Sequence, residues 1–238
     1  MTRPEELRRL AAVFGLRLQA QQAERLLRHA EMVLAANTRV RLTAITSWEE
    51  ILIKHILDCL FPLVLDDRLS AGLTVADLGS GGGYPGLALA IAAPGSSFVL
   101  IEATGKKAAF IRETADAIGL ANVTVWPRRA EEAGWNAGRG FFDIVTARAV
   151  ADLPVLTELA HPLLRTGGIL MAWKGPEAAV EIEGAGRAFA RLGAEIAAVH
   201  AYELPQQMGR RSLVIVRKTR ATPDGFPRRP GMAEKRPL

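Results

Sequence analysis

The chain has 238 residues, 49% of them hydrophobic, a single cysteine at Cys59 and a formal net charge of +5. That length suits one domain with an appendage or two small ones, with ample apolar material for a packed core. One cysteine excludes an internal disulfide framework, no apolar run reaches the roughly 20 residues that span a bilayer, and an N-terminus carrying Glu5 and Glu6 without an apolar h-region excludes a signal peptide, so a cytoplasmic protein is expected.

Residues 1–70 read as helical. Pro4-Glu5-Glu6 is a helix start with acids in the first turn, followed by Leu7, Leu10, Ala11 and Phe14 at helical spacing, and Gly15 ends the run. Residues 20–36 repeat the pattern through Ala23, Leu26, Leu27, Ala30, Val33 and Leu34, and Asn37 to Ser47 is irregular. Ser47 with Glu50 three residues on reads as a capping box, with Ile51, Leu52, His55, Ile56 and Cys59 as the buried stripe and Pro62 as a stop or kink. A histidine in such a stripe is more often a packed, hydrogen-bonded residue than a functional one.

From Leu73 strands alternate with helices. Leu73–Leu78 is a strand that runs into the glycines Gly79, Gly81, Gly82 and Gly83, and Pro85 suits the first turn of the helix that follows. Further strands are expected at 98–101, 123–126, 141–146 and 168–173, helices at 106–118, 153–164 and 177–192, and a closing strand pair at 194–204 and 212–217. This pattern predicts an α/β, Rossmann-like, mostly parallel doubly wound sheet behind an N-terminal helical extension. The divisions are 1–70, the helical segment; 71–218, the ligand-binding domain; and 219–238, a basic Pro-rich tail.

Such sheets bind ligands at the carboxyl ends of their strands. Gly81-x-Gly83-x-x-Gly86 matches the dinucleotide fingerprint, yet a lone match is weak, and S-adenosylmethionine (SAM) uses the same kind of turn. Asp77, just before the first glycine, weights the reading toward SAM: a carboxylate attracts a sulfonium or ammonium and repels a pyrophosphate. Glu102 ends the second strand, where an acid reaches ribose hydroxyls of either ligand. Ala130 and Glu131 follow the third strand, where an adenine edge would meet a backbone N–H or the carboxylate, or where an ordinary acidic helix start would sit. Arg148 and Lys174 end the fourth and fifth strands and are candidates for positioning an anionic substrate; a surface lysine with its stem folded down is the plainer account of Lys174.

The seven basic residues from Arg217 onward, set against Asp224 and Glu234, account for the whole net charge. The excess therefore points to a tail with an anionic partner, nucleic acid first, or to a merely solubilising segment. The four histidines are scattered, so no metal site is expected.

Together, Asp77 to Leu87, Glu102-Ala103-Thr104, Arg129-Ala130-Glu131-Glu132, Ala147-Arg148-Ala149 and Trp173-Lys174-Gly175 resemble the RsmG (GidB) family. Asn37 to Thr43, His55-Ile56-Leu57-Asp58 and the end from Phe226-Pro227-Arg228-Arg229-Pro230-Gly231 to Leu238 extend the resemblance to nearly the whole chain. It implies a SAM-dependent methyltransferase acting on guanine N7 of 16S ribosomal RNA or the small ribosomal subunit, with SAM contacts at Gly79, Tyr84, Glu102, Ala103, Thr104, Ala130, Glu131 and Arg148. The chain departs from the family at Arg41, where Asn is usual, at Cys59, where Ser is usual, and at Tyr84, an apolar position. A monomer without membrane association is expected. An NAD(P)-dependent oxidoreductase and a non-catalytic RNA-binding module are the competing readings. Guanine N7 carries a lone pair and no proton, so no acid–base residue is assigned.

Overall fold

The computed structural model describes residues 2–65, 69 and 72–238. In chain order it contains α1 (Arg3–Val13), α2 (Ala20–Val40), α3 (Trp48–Glu50), a π-helix (Ile51–Leu57), α4 (Asp58–Leu60), α5 (Pro62–Leu65), β1 (Thr74–Leu78), α6 (Gly86–Ala92), β2 (Ser97–Ile101), α7 (Gly105–Ala117), β3 (Val123–Trp126), α8 (Ala130–Trp135), β4 (Phe142–Arg148), α9 (Leu153–Ala160), β5 (Leu164–Lys174), α10 (Ala178–Gly184), α11 (Gly186–Leu192), β6 (Ala194–Glu203), a 3₁₀ turn (Pro205–Gln207), β7 (Arg210–Lys218) and α12 (Met232–Lys235).

The strands form one sheet in the order β3-β2-β1-β4-β5-β7-β6. Strands β1 to β5 pair in parallel, and β7 runs antiparallel to both β5 and β6. Alternate residues of a strand face opposite sides. Val75, Ile144 and Leu213 therefore join one apolar cluster with α1, α2, the π-helix, α6 and α7, while Ala76, Val145 and Val214 join a second with α9, α10, α11 and α12. The N-terminal helices thus cover one face of the sheet and share its core. No helix among the described residues is long and apolar enough to cross a membrane.

Several boundaries differ from the sequence reading. Helix α2 continues to Val40 because Asn37 staples the turn beyond it: its Oδ1 accepts from the N–H groups of Leu42 (2.7 Å) and Thr43 (2.9 Å). Ser47 does accept from the Glu50 N–H, but the Glu50 carboxylate takes the Ser47 hydroxyl and Lys54 rather than the cap N–H. The expected helix 177–192 is two helices that meet at Ala185 between Gly184 and Gly186, where glycine weakens helical order. Helix α9 stops at Ala160, two residues before Pro162, which cannot donate into the ladder.

The basic Pro-rich tail, whose order the sequence leaves open, is packed on the domain. Phe226, Pro227 and Ala233 are buried, and Arg228 forks onto the buried carboxylate of Glu158 in α9 through Nε (2.8 Å) and a terminal nitrogen (2.5 Å). Trp135 Nε1 donates to the Pro227 carbonyl (2.7 Å) and Arg139 to that of Phe226 (2.7 Å). A folded strap closes this face. Proline-rich chain without apolar periodicity can still be built into a fold when neighbouring elements supply the partners.

Candidate active site

The glycine turn leaves β1 through Gly79, whose φ of +63° is open to glycine at little cost. At the far end a Cβ on Gly86 would lie 2.8 Å from both Asp77 Oδ2 and Leu100 Cγ, so glycine there lets α6 start directly against the sheet. Asp77 does not face the cleft as the sequence suggested. It is fully buried, its Oδ1 accepts from Thr146 Oγ1 (2.7 Å) and its Oδ2 from the Gly86 N–H (3.2 Å). Burial pushes its carboxyl up to about 6, and the hydrogen bonds only partly offset this. Asp77 therefore ties the far end of the turn to β4.

Glu102 lies at the end of β2, as expected. Its Oε2 accepts from the Gly81 N–H (3.0 Å) and its Oε1 from the Thr104 N–H (2.7 Å), so the carboxylate is fixed against the turn. Each oxygen retains a second lone pair for a hydroxyl. Ala103 and Thr104 are exposed beside it.

Tyr84 is stacked between His29 and His55, with ring centroids at 4.3 and 4.6 Å. His29 Nε2 also lies 2.7 Å from the Gly82 carbonyl, so α2 grips the turn from behind. Burial lowers the His29 imidazole to about 4, which leaves it neutral and donating at that nitrogen.

Arg148 leaves the end of β4 and gathers the helical layer. It donates to the Lys54 carbonyl (2.8 Å), to Asp58 Oδ2 (3.2 Å) and to His55 Nδ1 (2.6 Å). Because a guanidinium only donates, His55 accepts at Nδ1, carries its proton on Nε2 and gives it to Thr43 Oγ1 (2.7 Å). Burial first, then the Arg148 charge, lower His55 to about 3. Asp58 also accepts from the Tyr202 hydroxyl (2.6 Å).

Two clefts meet at this arginine. The smaller, about 300 Å³, is lined by Thr43, Gly79 to Gly82, Tyr84, Lys107 and Arg148. The larger, about 590 Å³, is lined by Lys54, His55, Asp58, Arg148, Asp152, Trp173, Lys174 and Arg211. Lys174 sits in the larger cleft, but it is no free surface cation: it is buried, pairs with Glu181 (2.6 Å) and donates to the Ala151 carbonyl (2.7 Å). Glu131, expected near an adenine, turns its carboxylate to the strap, where Oε1 accepts from the Gly231 N–H (2.9 Å). Sequence reasoning did not assign Lys107, Asp58 or Arg211 to the site. Lys107 carried no signal beyond its helix, Asp58 stood in the His55-Ile56-Leu57-Asp58 stretch without a role assigned to it, and Arg211 reaches the cleft only through the antiparallel placement of β7. Among the described residues no cluster of three or more His, Cys, Asp or Glu is set to hold a metal ion.

A family model described as GidB, rRNA small subunit methyltransferase G, matches residues 22–213. Proteins named ribosomal RNA small subunit methyltransferase G from Carboxydothermus hydrogenoformans and Deinococcus radiodurans are 38% and 42% identical, over 98% of this chain in each case and 99% and 92% of their own lengths. The chain belongs to the GidB family, rRNA small subunit methyltransferase G. Its fold is similar to that of a predicted O-methyltransferase from Agrobacterium tumefaciens (TM-score 0.51, 23% identity, 70% of this chain and 81% of that one). As a GidB-family methyltransferase the protein uses SAM and acts on small-subunit ribosomal RNA, which sets aside the oxidoreductase and the inert-module readings.

The residues fit SAM. A Cβ on Gly81 would meet nothing closer than the Gly79 carbonyl at 3.8 Å, so the turn leaves open space on that side, and the fixed Glu102 carboxylate offers its lone pairs at the edge of the turn.

Proposed function

We propose that this GidB-family enzyme methylates N7 of a guanine in 16S ribosomal RNA, with SAM over the glycine turn and the target base in the larger cleft. What supports this is the state of the acid–base groups where the clefts meet. His55 is neutral and hydrogen-bonded at both nitrogens, Asp58 is held by Arg148 and Tyr202, and Asp77 is sealed beneath the turn. Asp152 is exposed at the rim. A nucleophile that must lose a proton finds no buried base here; guanine N7 needs none, and alignment carries the reaction.

When bound, SAM supplies an electrophilic methyl group on a sulfonium. The chain's part is to hold and orient. Gly79, Gly81, Gly83 and Tyr84 form the floor of the turn, Glu102 with Ala103 and Thr104 takes the ribose end, and Ala130 and Glu131 flank the base through their backbone. Arg148 spends three of its five N–H donors inside the protein, leaving two for the cofactor carboxylate or the RNA. Lys174 lines the larger cleft but is held by Ala151 and Glu181, so it acts by fixing the cleft wall.

Small-subunit RNA transcribed with 7-deazaguanosine tests the atom directly. The normal transcript should accept label from SAM and the 7-deaza transcript none; labelling of both would place the methyl elsewhere.

A further inference from the structure

Of the seven basic residues from Arg217 onward, four are spent on the fold. Arg217 pairs with Glu195, Lys218 is buried and donates to the His161 and Leu164 carbonyls, Arg220 binds the last carbonyls of α11, and Arg228 forks onto Glu158. Arg229, Lys235 and Arg236 are exposed, and their side chains make no hydrogen bond or ion pair among the described residues.

The strap fixes where Arg229 goes. Gly231, at φ +76°, donates its N–H to Glu131 Oε1 at 2.9 Å, which ties the strap to the first turn of α8. Arg229 lies two residues before Gly231 and the exposed Arg129 two residues before Glu131, and two residues span about 7 Å at most. The backbones of both arginines therefore lie close to the same hydrogen bond. The two carboxylates at the heart of this junction, Glu131 and Glu158, are buried and already satisfied, while Glu132 on the outside accepts from the Arg129 N–H. The junction follows the carboxyl end of β3, two strand spacings, about 10 Å, from the end of β1 where the glycine turn begins.

We propose that the docked strap and the β3–α8 loop form a phosphate-binding surface for the RNA substrate, with Arg229 and Arg129 as its paired cations beside the cofactor cleft. This rests on the RNA-methyltransferase reading and specifies which face the RNA backbone crosses. The chemistry is that of exposed guanidinium groups on backbone that is tied down: each phosphate they neutralise releases counterions and adds to the salt dependence of binding. Pro227 and Pro230 restrict the strap around Arg229, so little ordering cost remains when RNA arrives.

The test uses the full-length protein with Arg129→Gln, Arg229→Gln and the double substitution, and 16S ribosomal RNA as probe. Affinity is measured across a salt series beside melting temperature and SAM affinity. The slope of log affinity against log salt should become shallower by about 0.7 for each cation removed, additively, with melting temperature and SAM affinity unchanged. Arg191→Gln, on α11, should leave the slope at its wild-type value. An unchanged slope in the double variant, with wild-type RNA methylation intact, would overturn this surface while leaving the enzyme's function standing. A wild-type protein that neither binds nor methylates the RNA would overturn both.

Discussion

Arg148 was legible in the sequence as a strand-end cation, and the structure gives it a structural task beside the one its position implied. Three elements meet on its guanidinium, and Asp58 beneath it is almost fully buried. Removing one partner of a buried pair leaves the other charge exposed to a low dielectric, at a cost of about 3–5 kcal/mol, reduced here because Tyr202 still binds Asp58. Arg148→Ala should therefore lower the melting temperature as well as abolish methyl transfer, and Arg148→Lys should restore stability more than activity, since a point charge cannot serve Lys54, Asp58 and His55 together. Wild-type melting in the alanine variant would contradict this. Arg41 shows the reverse case. It ends α2 at φ +49°, a left-handed conformation that Asn and Gly adopt more readily than Arg. Asn suits that backbone better, and Arg41→Asn should stabilise the protein by about 1 kcal/mol in denaturant unfolding; a loss of stability would mean the arginine side chain has a role of its own.

At the level of elements, the alternation of apolar strands with helices made the parallel sheet and the glycine turn readable, because period-2 and period-3.6 burial are local properties. What stayed hidden depended on partners far along the chain. Asp77 is sealed by Thr146, Lys174 by Glu181, and Glu131 by Gly231, and no spacing rule reports such pairs. The strap was the least legible: its charge pointed to an anionic partner and carried no word of Phe226, Arg228 and Ala233 packing beside α8 and α9. A chain ending at Thr222 would lose the burial of Phe226, Pro227 and Ala233 and, with it, the Arg228–Glu158 pair and the Gly231–Glu131 hydrogen bond. It should lose about 3–5 kcal/mol of stability, and Arg228→Ala should reproduce much of that loss in denaturant melts. Truncated protein that melts like the full chain would show that the strap is peripheral.

Across the whole molecule, three buried histidines set the acid limit. His29, His55 and His161 are held neutral, lowered to about 4, 3 and 3 chiefly by burial. Between about pH 4 and 6.5 the unfolded chain binds these protons and the native state does not, so stability falls as pH falls. Asp77 opposes them, because its raised carboxyl keeps a proton in the native state over much of that window. The net of about two protons gives a slope of about 3 kcal/mol per pH unit near pH 5. Melting temperature should decline gently from about pH 7.5 and steeply below pH 6.5; a flat profile down to pH 4.5 would contradict the neutral-histidine assignment. The central claim, methyl transfer to guanine N7 at a base-free cleft, is tested most directly by mapping 16S ribosomal RNA treated with the protein and SAM. Borohydride reduction followed by aniline cleaves RNA at N7-methylguanine. The account predicts one new scission at a guanine, dependent on both SAM and enzyme; incorporated methyl without scission would contradict it.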